Sequence, residues 1–355
     1  MFVAWRDLRF AKGRFVLIGS VVALITLLVG FLSGLTGGLA AQNVSAVLSL
    51  PADQLVFAAP SDSDEASFSD SQLTSAQADT WSAASGMVSA SPVGITQTRA
   101  EAGDARAAVA LFGVETAFDN GAPSKDGVLG LSVAAADTLS VDVGDTVTIA
   151  GTEYRVEVVT GDWWYSHTPV VQMTIDDWRA YSAATGSPDA FATVLAVTGT
   201  PDWAATNDAA DTISHPPLMA LTAIGAFRSE IGSLLLMVAM LFGISALVIG
   251  AFFTVWTMQR RGDIAILKAL GASTPSLIRD ALGQALVVLI LGVGVGIGLV
   301  ALLGLLAGTA LPFILSPLTT LLPAAIMIAL GLAGAAFALR SVTTADPLTA
   351  LGSNR

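Results

Sequence analysis

The sequence predicts a membrane protein with four transmembrane α-helices and one α+β extracytoplasmic domain between the first and second helices. Three observations predict it. First, the 355 residues are 54% hydrophobic and only 12% charged, with a mean hydropathy of +0.71, whereas soluble domains carry about 25% charged residues. Second, the apolar residues gather in four runs, Phe15–Leu35, Ile231–Val255, Ala281–Leu311 and Leu321–Leu339. Each supplies roughly the ~20 residues that a helix needs to cross a bilayer. Third, the charge is partitioned. Residues 43–225 hold 23 of the 28 acidic residues and five of the 16 basic ones, a net −18 against −12 for the whole chain.

Taken in order, residues 1–14 form an amphipathic helix at the cytoplasmic surface, with Phe2, Trp5, Leu8 and Phe10 set against Arg6, Arg9 and Lys12. Residues 15–41 form the first span. Gly38-Leu39-Ala40 resembles a signal-peptidase site, but the apolar run is longer than the 7–15 residues of a signal h-region, so the segment reads as a retained helix. Residues 42–228 form the acidic domain. Residues 229–257, 281–311 and 321–340 are the second, third and fourth spans. Between them lie a cytoplasmic loop (258–280) and a short outer loop (312–320), and a cytoplasmic tail (341–355) closes the chain. The third run is longer than a bilayer needs, so it should tilt, extend beyond the membrane or break near its glycines. Basic clusters at residues 6–14, at 260, 261, 268 and 279, and at 340 and 355 flank alternate ends of the spans. Positive charge stays inside, so both termini and the 258–280 loop are cytoplasmic. The acidic domain lies outside, and its charge excludes nucleic acid as a partner.

Within that domain, strand-like alternation marks Gln54–Ala58, Gly94–Thr98, Ala107–Phe112, Thr146–Ile149, Tyr154–Val159, Val170–Met173 and Thr193–Val197. Helical patterns mark Ser71–Ala84, Ile175–Ala184 and Trp203–Ile213. The strongest local signal is Leu139–Val159, where alternation around Ala150-Gly151-Thr152 predicts a β-hairpin. Ser61–Ser75, rich in Ser and Asp, reads as a solvated loop. With no cysteine in the chain, no disulfide holds the domain, and its own core must do so.

Catalytic motifs are scarce. There is no Gly-x-x-x-x-Gly-Lys-Ser/Thr phosphate loop, so ATP is not bound by that device. Gly292-Val-Gly-Val-Gly-Ile-Gly298 sits inside an apolar span, where small residues serve helix packing. With only His167 and His215 and no cysteine, no zinc spacing is recognisable. Asp176-Asp177 opens a helix and complements its dipole. The expectation is a protein with no catalytic residues, no resident metal and no intrinsic cofactor.

The cytoplasmic loop is more informative. Met258-Gln-Arg-Arg-Gly-Asp-Ile-Ala-Ile-Leu-Lys-Ala-Leu-Gly-Ala-Ser273 continues the second span as an amphipathic helix, with Ile264, Leu267 and Leu270 on one stripe. Gly271 can end it in the left-handed conformation, and Ser273 with Pro275 can start the next helix. Such a basic, apolar-striped helix-turn-helix suits docking to a soluble partner. A membrane-surface loop with no partner is the other reading.

The stretch from Arg260 to Ser273 resembles the signature that follows the second span of FtsX-like, MacB-type (type VII) ABC transporter permeases, Glu-Arg-x-x-Glu-Ile-x-x-Leu-[Lys/Arg]-Ala-[Leu/Ile]-Gly-Ala. Arg260, Asp263, Ile264, Leu267, Lys268, Ala269, Leu270, Gly271 and Ala272 match or substitute conservatively, and Gln259 replaces the leading Glu. The Val141–Val159 hairpin is similar to that family's Val-Gly-Asp-x-Val motif, and Asp346-Pro-Leu-Thr-Ala-Leu351 to its terminal Pro-x-x-Ala-Leu. The resemblance implies a permease homodimer with two copies of a separate cytoplasmic ATPase subunit. That subunit would bind ATP and Mg, and Arg261, Asp263, Ile264, Leu267, Lys268 and Leu270 would couple it to the membrane. The resemblance also implies mechanotransmission between the cytoplasm and the external domain.

Trp164-Tyr-Ser-His-Thr-Pro-Val-Val171 is similar to a segment of haem-exporting ABC permeases, which makes haem the expected transported ligand. The alternatives are lipids, lipopeptides or antimicrobial peptides, or a non-transporting mechanotransmitter that controls a cell-wall hydrolase. For haem, the candidate ligand residues are Glu230, Met237, Tyr165 and His167. Glu230 is the lone acidic residue near the outer end of a span, where an ionisable group is costly. Met237 follows seven residues later on the same helix face. Gly30, Gly34, Gly37 and Gly38 would leave room for a flat ligand. Glu230 could instead pair with Arg228 or lie among headgroups. The aromatic run Trp163–Tyr165 could equally be an interfacial anchor, and His167 could serve only to fix a turn.

Overall fold

The computed structural model describes residues 12–59, 65–259, 262, 266, 268, 270–308 and 311–343. Residues 1–11, Arg260, Arg261, Asp263, Ile264, Leu267, Ala269 and the 344–355 tail lie outside the described residues. The expected surface helix and most of the coupling signature therefore do too. The chain forms two compact units, residues 39–232 and the remainder.

Four long helices carry the apolar runs: α1 (Lys12–Ser49), α7 (Gly225–Gln259), α8 (Thr274–Ala307) and α9 (Pro317–Thr343). All four are long and apolar enough to cross a membrane. Their core gathers Val22, Val29, Ile249, Phe253, Leu289, Val293 and Met327. α8 does not break at its glycines. It starts at Ser273 with Pro275 in the first turn and ends at Gly308, so its excess length lies before residue 281. Gly292 and Gly296 face Val22 and Thr26 of α1 so closely that a Cβ would come within 3 Å of either side chain, which is the close helix approach expected of small residues.

The same packing corrects one expectation. Gly30 faces Val300, Gly34 faces Phe313, Gly37 faces Thr319 and Gly38 meets the carbonyl of Pro312. These glycines of α1 are filled by residues 300–319 of the same chain and leave no room for a flat ligand. On the cytoplasmic side, Leu270 N–H donates to the Ile266 carbonyl and Gly271 N–H to that of Lys268, with Gly271 at φ +93°. That is the left-handed stop expected of a glycine.

The external unit is α+β. After α1 come β1 (Gln54–Ala58), α2 (Ser75–Ser82), β2 (Met87–Ala102), β3 (Ala105–Val114), β4 (Val128–Leu131), α3 (Val133–Leu139), β5 (Thr146–Ile149) and β6 (Thr152–Val159). Next are β7 (Trp164–Tyr165), β8 (Thr168–Thr174), α4 (Ile175–Ala184), β9 (Val194–Gly199), α5 (Trp203–Ala210), β10 (Thr212–His215) and α6 (Pro217–Ala220). The 16-residue β2 serves two sheets. Its first half pairs with β9, which continues to β1 and β10. Its second half pairs with β3, and the order β2-β3-β8-β4-β6-β5 returns to β2 through Ala100↔Ile149 and Glu101↔Thr148. Closing the ring removes exposed strand edges. Val109, Leu111, Leu129, Val156, Val171 and Met173 fill its core together with α3 and α4.

α4 is held as its sequence dictates. Thr174 caps it by accepting from Asp177 N–H, with Asp176 and Asp177 in the first turn. Its Trp178 lies over Gly94 and Gly113, which face each other across β2 and β3, and any Cβ at either glycine would overlap the ring. Two expectations need correction. Ser61–Ser75 is not all solvated: Phe68, Ser71 and Leu73 are buried, and Ser71 Oγ donates to the Thr193 carbonyl at 2.6 Å. The helix at Trp203 stops at Ala210, where Asp211 turns left-handed, and Ile213 lies in β10.

Candidate ligand site

The site is built on a tight hairpin. β7 and β8 pair through Trp164↔Pro169 and Tyr165↔Thr168, leaving Ser166 and His167 as a two-residue turn. Their φ angles are +48° and +64°, the type I′ geometry that matches strand twist and normally selects Asn-Gly. A side chain in that region costs roughly 1 kcal/mol or more, so the turn must be held from outside. The last turns of α1 hold it. Ser166 N–H donates to the Asn43 carbonyl at 3.0 Å and His167 N–H to the Gln42 carbonyl at 2.9 Å. Trp164 N–H donates to Ser45 Oγ at 2.9 Å, and Thr168 Oγ1 donates to the Tyr165 carbonyl at 2.7 Å.

The turn points His167 at two helices. Its Nε2 lies 3.1 Å from each carboxylate oxygen of Glu230, in the first turns of α7. Asn43 Nδ2 donates to Glu230 Oε2 at 3.0 Å and also stands 3.0 Å from His167 Nε2. Asn43 is buried, whereas the His167 and Glu230 side chains are 34% and 42% exposed. The cluster is thus anchored at one end and open at the other. With its proton on Nε2, His167 donates to the carboxylate and keeps a lone pair on Nδ1.

The candidate residues sort clearly. His167 and Glu230, 63 residues apart in the sequence, are brought together. Glu230 does not pair with Arg228, which is bonded to Glu65 instead. Tyr165 does not join the cluster. Its ring packs edge-on against Phe68 and Phe112 in the core, and burial pushes its phenol above the ordinary tyrosine range. Met237 is half-exposed and belongs to the other unit. Of the coupling residues, Leu270 is exposed and Lys268 partly so, while Arg261, Asp263, Ile264 and Leu267 lie outside the described residues. Asn43 was not a sequence candidate, because an amide in the run Ala40–Ser45 carries no motif.

Trp163 and Trp164 are half-buried. Trp163 lies against Gly121 and Gly161, and Trp164 Nε1 donates to Asp162 at 2.7 Å. Both rings thus have local partners in the external unit.

The chain is similar to several known proteins. Residues 236–347 match the model of the FtsX-like permease C-terminal domain. The chain is 28% identical to the putative hemin transport system permease protein HrtB of Staphylococcus haemolyticus, over 99% of each protein. It is 25% identical to an uncharacterized ABC transporter permease of Mycobacterium tuberculosis, again over 99% of each. The crystal structure of the periplasmic region of MacB from Actinobacillus actinomycetemcomitans aligns with 48% of this chain and 92% of its own, at 14% identity and a TM-score of 0.36.

Four spans, an extracytoplasmic α+β domain and end-to-end similarity to permeases define a multi-pass cell-membrane protein similar to ABC transporter permeases. Residues 236–347 are similar to the FtsX-like permease C-terminal domain, and the chain as a whole is similar to ABC transporter permeases.

Proposed function

We propose that this permease expels haem from the membrane as the homodimeric core of an exporter, with ATP hydrolysed on two copies of a separate cytoplasmic ATPase. The observation that carries the reading is the His167–Glu230 pair at 3.1 Å. Haem iron takes an imidazole as axial ligand. A ligating histidine works best when its other ring nitrogen is tied to a carboxylate, which fixes the tautomer and raises basicity. Here Glu230 holds Nε2–H and directs the Nδ1 lone pair away from the carboxylate. The relative from Staphylococcus haemolyticus carries a name of the same kind, hemin transport.

The test uses the permease–ATPase complex in lipid nanodiscs. Haem should raise ATP hydrolysis several-fold, and His167→Ala should abolish the rise while leaving haem-free hydrolysis unchanged. If haem leaves hydrolysis flat while a lipopeptide raises it, the substrate is of another class.

A further inference from the structure

We infer that Asn43, His167 and Glu230 form a three-ligand site for a divalent transition-metal cation of the Zn²⁺ type, independent of any porphyrin. The first argument is metric. His167 Nε2, Glu230 Oε2 and the outer atom of the Asn43 amide form a triangle with edges of 3.1, 3.0 and 3.0 Å. Neighbouring ligands placed ~2.1 Å from a metal are about 3.0 Å apart in an octahedral set and about 3.4 Å apart in the tetrahedral set Zn²⁺ favours. The triangle fits the first and reaches the second by a few tenths of an ångström of outward side-chain movement.

The second argument is hydrogen-bond bookkeeping. If Nε2 carries a proton, it donates to Glu230 but confronts the Asn43 NH₂, another donor. If Nε2 is bare, it accepts from Asn43 but turns its lone pair on two carboxylate oxygens. Each protonation state leaves a mismatch at the heart of the cluster. A half-turn of the Asn43 amide presents its oxygen there. The atom trio then becomes one imidazole nitrogen and two oxygens, three lone pairs converging on one point. That arrangement is repulsive without a cation and favourable with one.

The third argument is that the half-turn gives up only the bond from Asn43 Nδ2 to Glu230 Oε2, which a cation shared by the two residues replaces. Asn43 is 1% exposed, and among the described residues its Oδ1 has no hydrogen-bond partner, so rotation sacrifices none at that end. A buried amide oxygen without a donor is itself uncommon. The donor set of imidazole, carboxylate and amide oxygen suits Zn²⁺, Ni²⁺ or Cu²⁺. The exposed flanks of His167 and Glu230 leave the remaining coordination positions to water.

The experiment titrates Zn²⁺ into the chelator-stripped, haem-free permease in nanodiscs, so its outcome is separate from that of haem binding. One Zn²⁺ should bind per chain. X-ray absorption should show a first shell of nitrogen and oxygen near 2.1 Å with the outer-shell scattering of a single imidazole. His167→Ala should lose the site. Asn43→Asp should bind Zn²⁺ at least tenfold more tightly, because a carboxylate replaces an amide oxygen in the ligand set, and Asn43→Ala should bind it more weakly. Stoichiometric Zn²⁺ without imidazole scattering, or wild-type binding no greater than that of His167→Ala, would overturn the proposal. So would an Asn43→Asp variant that binds no better than Asn43→Ala, since the amide would then be only a donor to Glu230.

Discussion

His167 Nε2 stands 3.1 Å from both carboxylate oxygens of Glu230, although one residue sits in a hairpin turn and the other on a long helix. The relationship depends on the turn's backbone as much as on the side chains. Ser166 and His167 are both left-handed, and the carbonyls of Gln42 and Asn43 keep them so.

The turn makes a first prediction. Ser166→Asn, which tolerates positive φ better than serine, should stabilise the permease by about 0.5 kcal/mol. Ser166→Pro fixes φ near −65° and deletes the N–H given to Asn43, and should cost about 3 kcal/mol. Thermal unfolding in detergent, followed by intrinsic tryptophan fluorescence, measures both. A neutral proline would mean that the hairpin is not held as described.

Much of this frame was legible in the sequence, for identifiable reasons. Gln54–Ala58, Thr146–Ile149 and Ile175–Ala184 appear with the expected bounds because alternation, or a threonine cap followed by acidic residues, is local information. β7 and β10 are only two and four residues long, and so short a strand has no period to detect. Ile213 was read as helical because the pattern that begins at Trp203 is helical. What ends it is the conformation of Asp211, which composition does not reveal. From the sequence, the glycines of α1 read as room for a flat ligand, and the structure corrects this, because other residues of the same unit fill the space. Which partner fills them depends on residues 300–319 folding back, a long-range event. Asn43 escaped notice for the same reason, since its importance lies wholly in neighbours 124 and 187 residues away.

A second prediction concerns pH. Burial raises the Tyr165 phenol above its ordinary value near 10. The folded state therefore disfavours ionisation more than the unfolded state does. The stabilisation is complete below about pH 10 and is lost as pH rises from there toward the higher folded value. Tyr165→Phe should flatten the fall in stability above about pH 10 while leaving neutral-pH stability nearly unchanged. Chemical denaturation at several alkaline pH values checks this, and an unaltered slope would place the ring outside the core.

A third prediction concerns the coupling loop. Leu270 is 79% exposed in a turn, one residue before the left-handed Gly271. Such a leucine at a cytoplasmic turn is available to a partner. Leu270→Asp should abolish co-purification of the ATPase and leave the permease folded, as judged by size-exclusion chromatography. Retained co-purification with full ATP hydrolysis would move the docking surface elsewhere.

The most direct measurement is a Soret titration of purified permease with haem, comparing wild type with Glu230→Gln and His167→Ala. Glu230→Gln keeps the size and a hydrogen bond to the imidazole but removes the charge that orients and activates it. Wild type should give a shifted Soret band with one haem-binding step. Glu230→Gln should weaken binding about tenfold, and His167→Ala should lose the shifted band. Unchanged spectra and affinity in both variants would contradict the account and make the His167–Glu230 pair a structural clasp without a role in ligand binding.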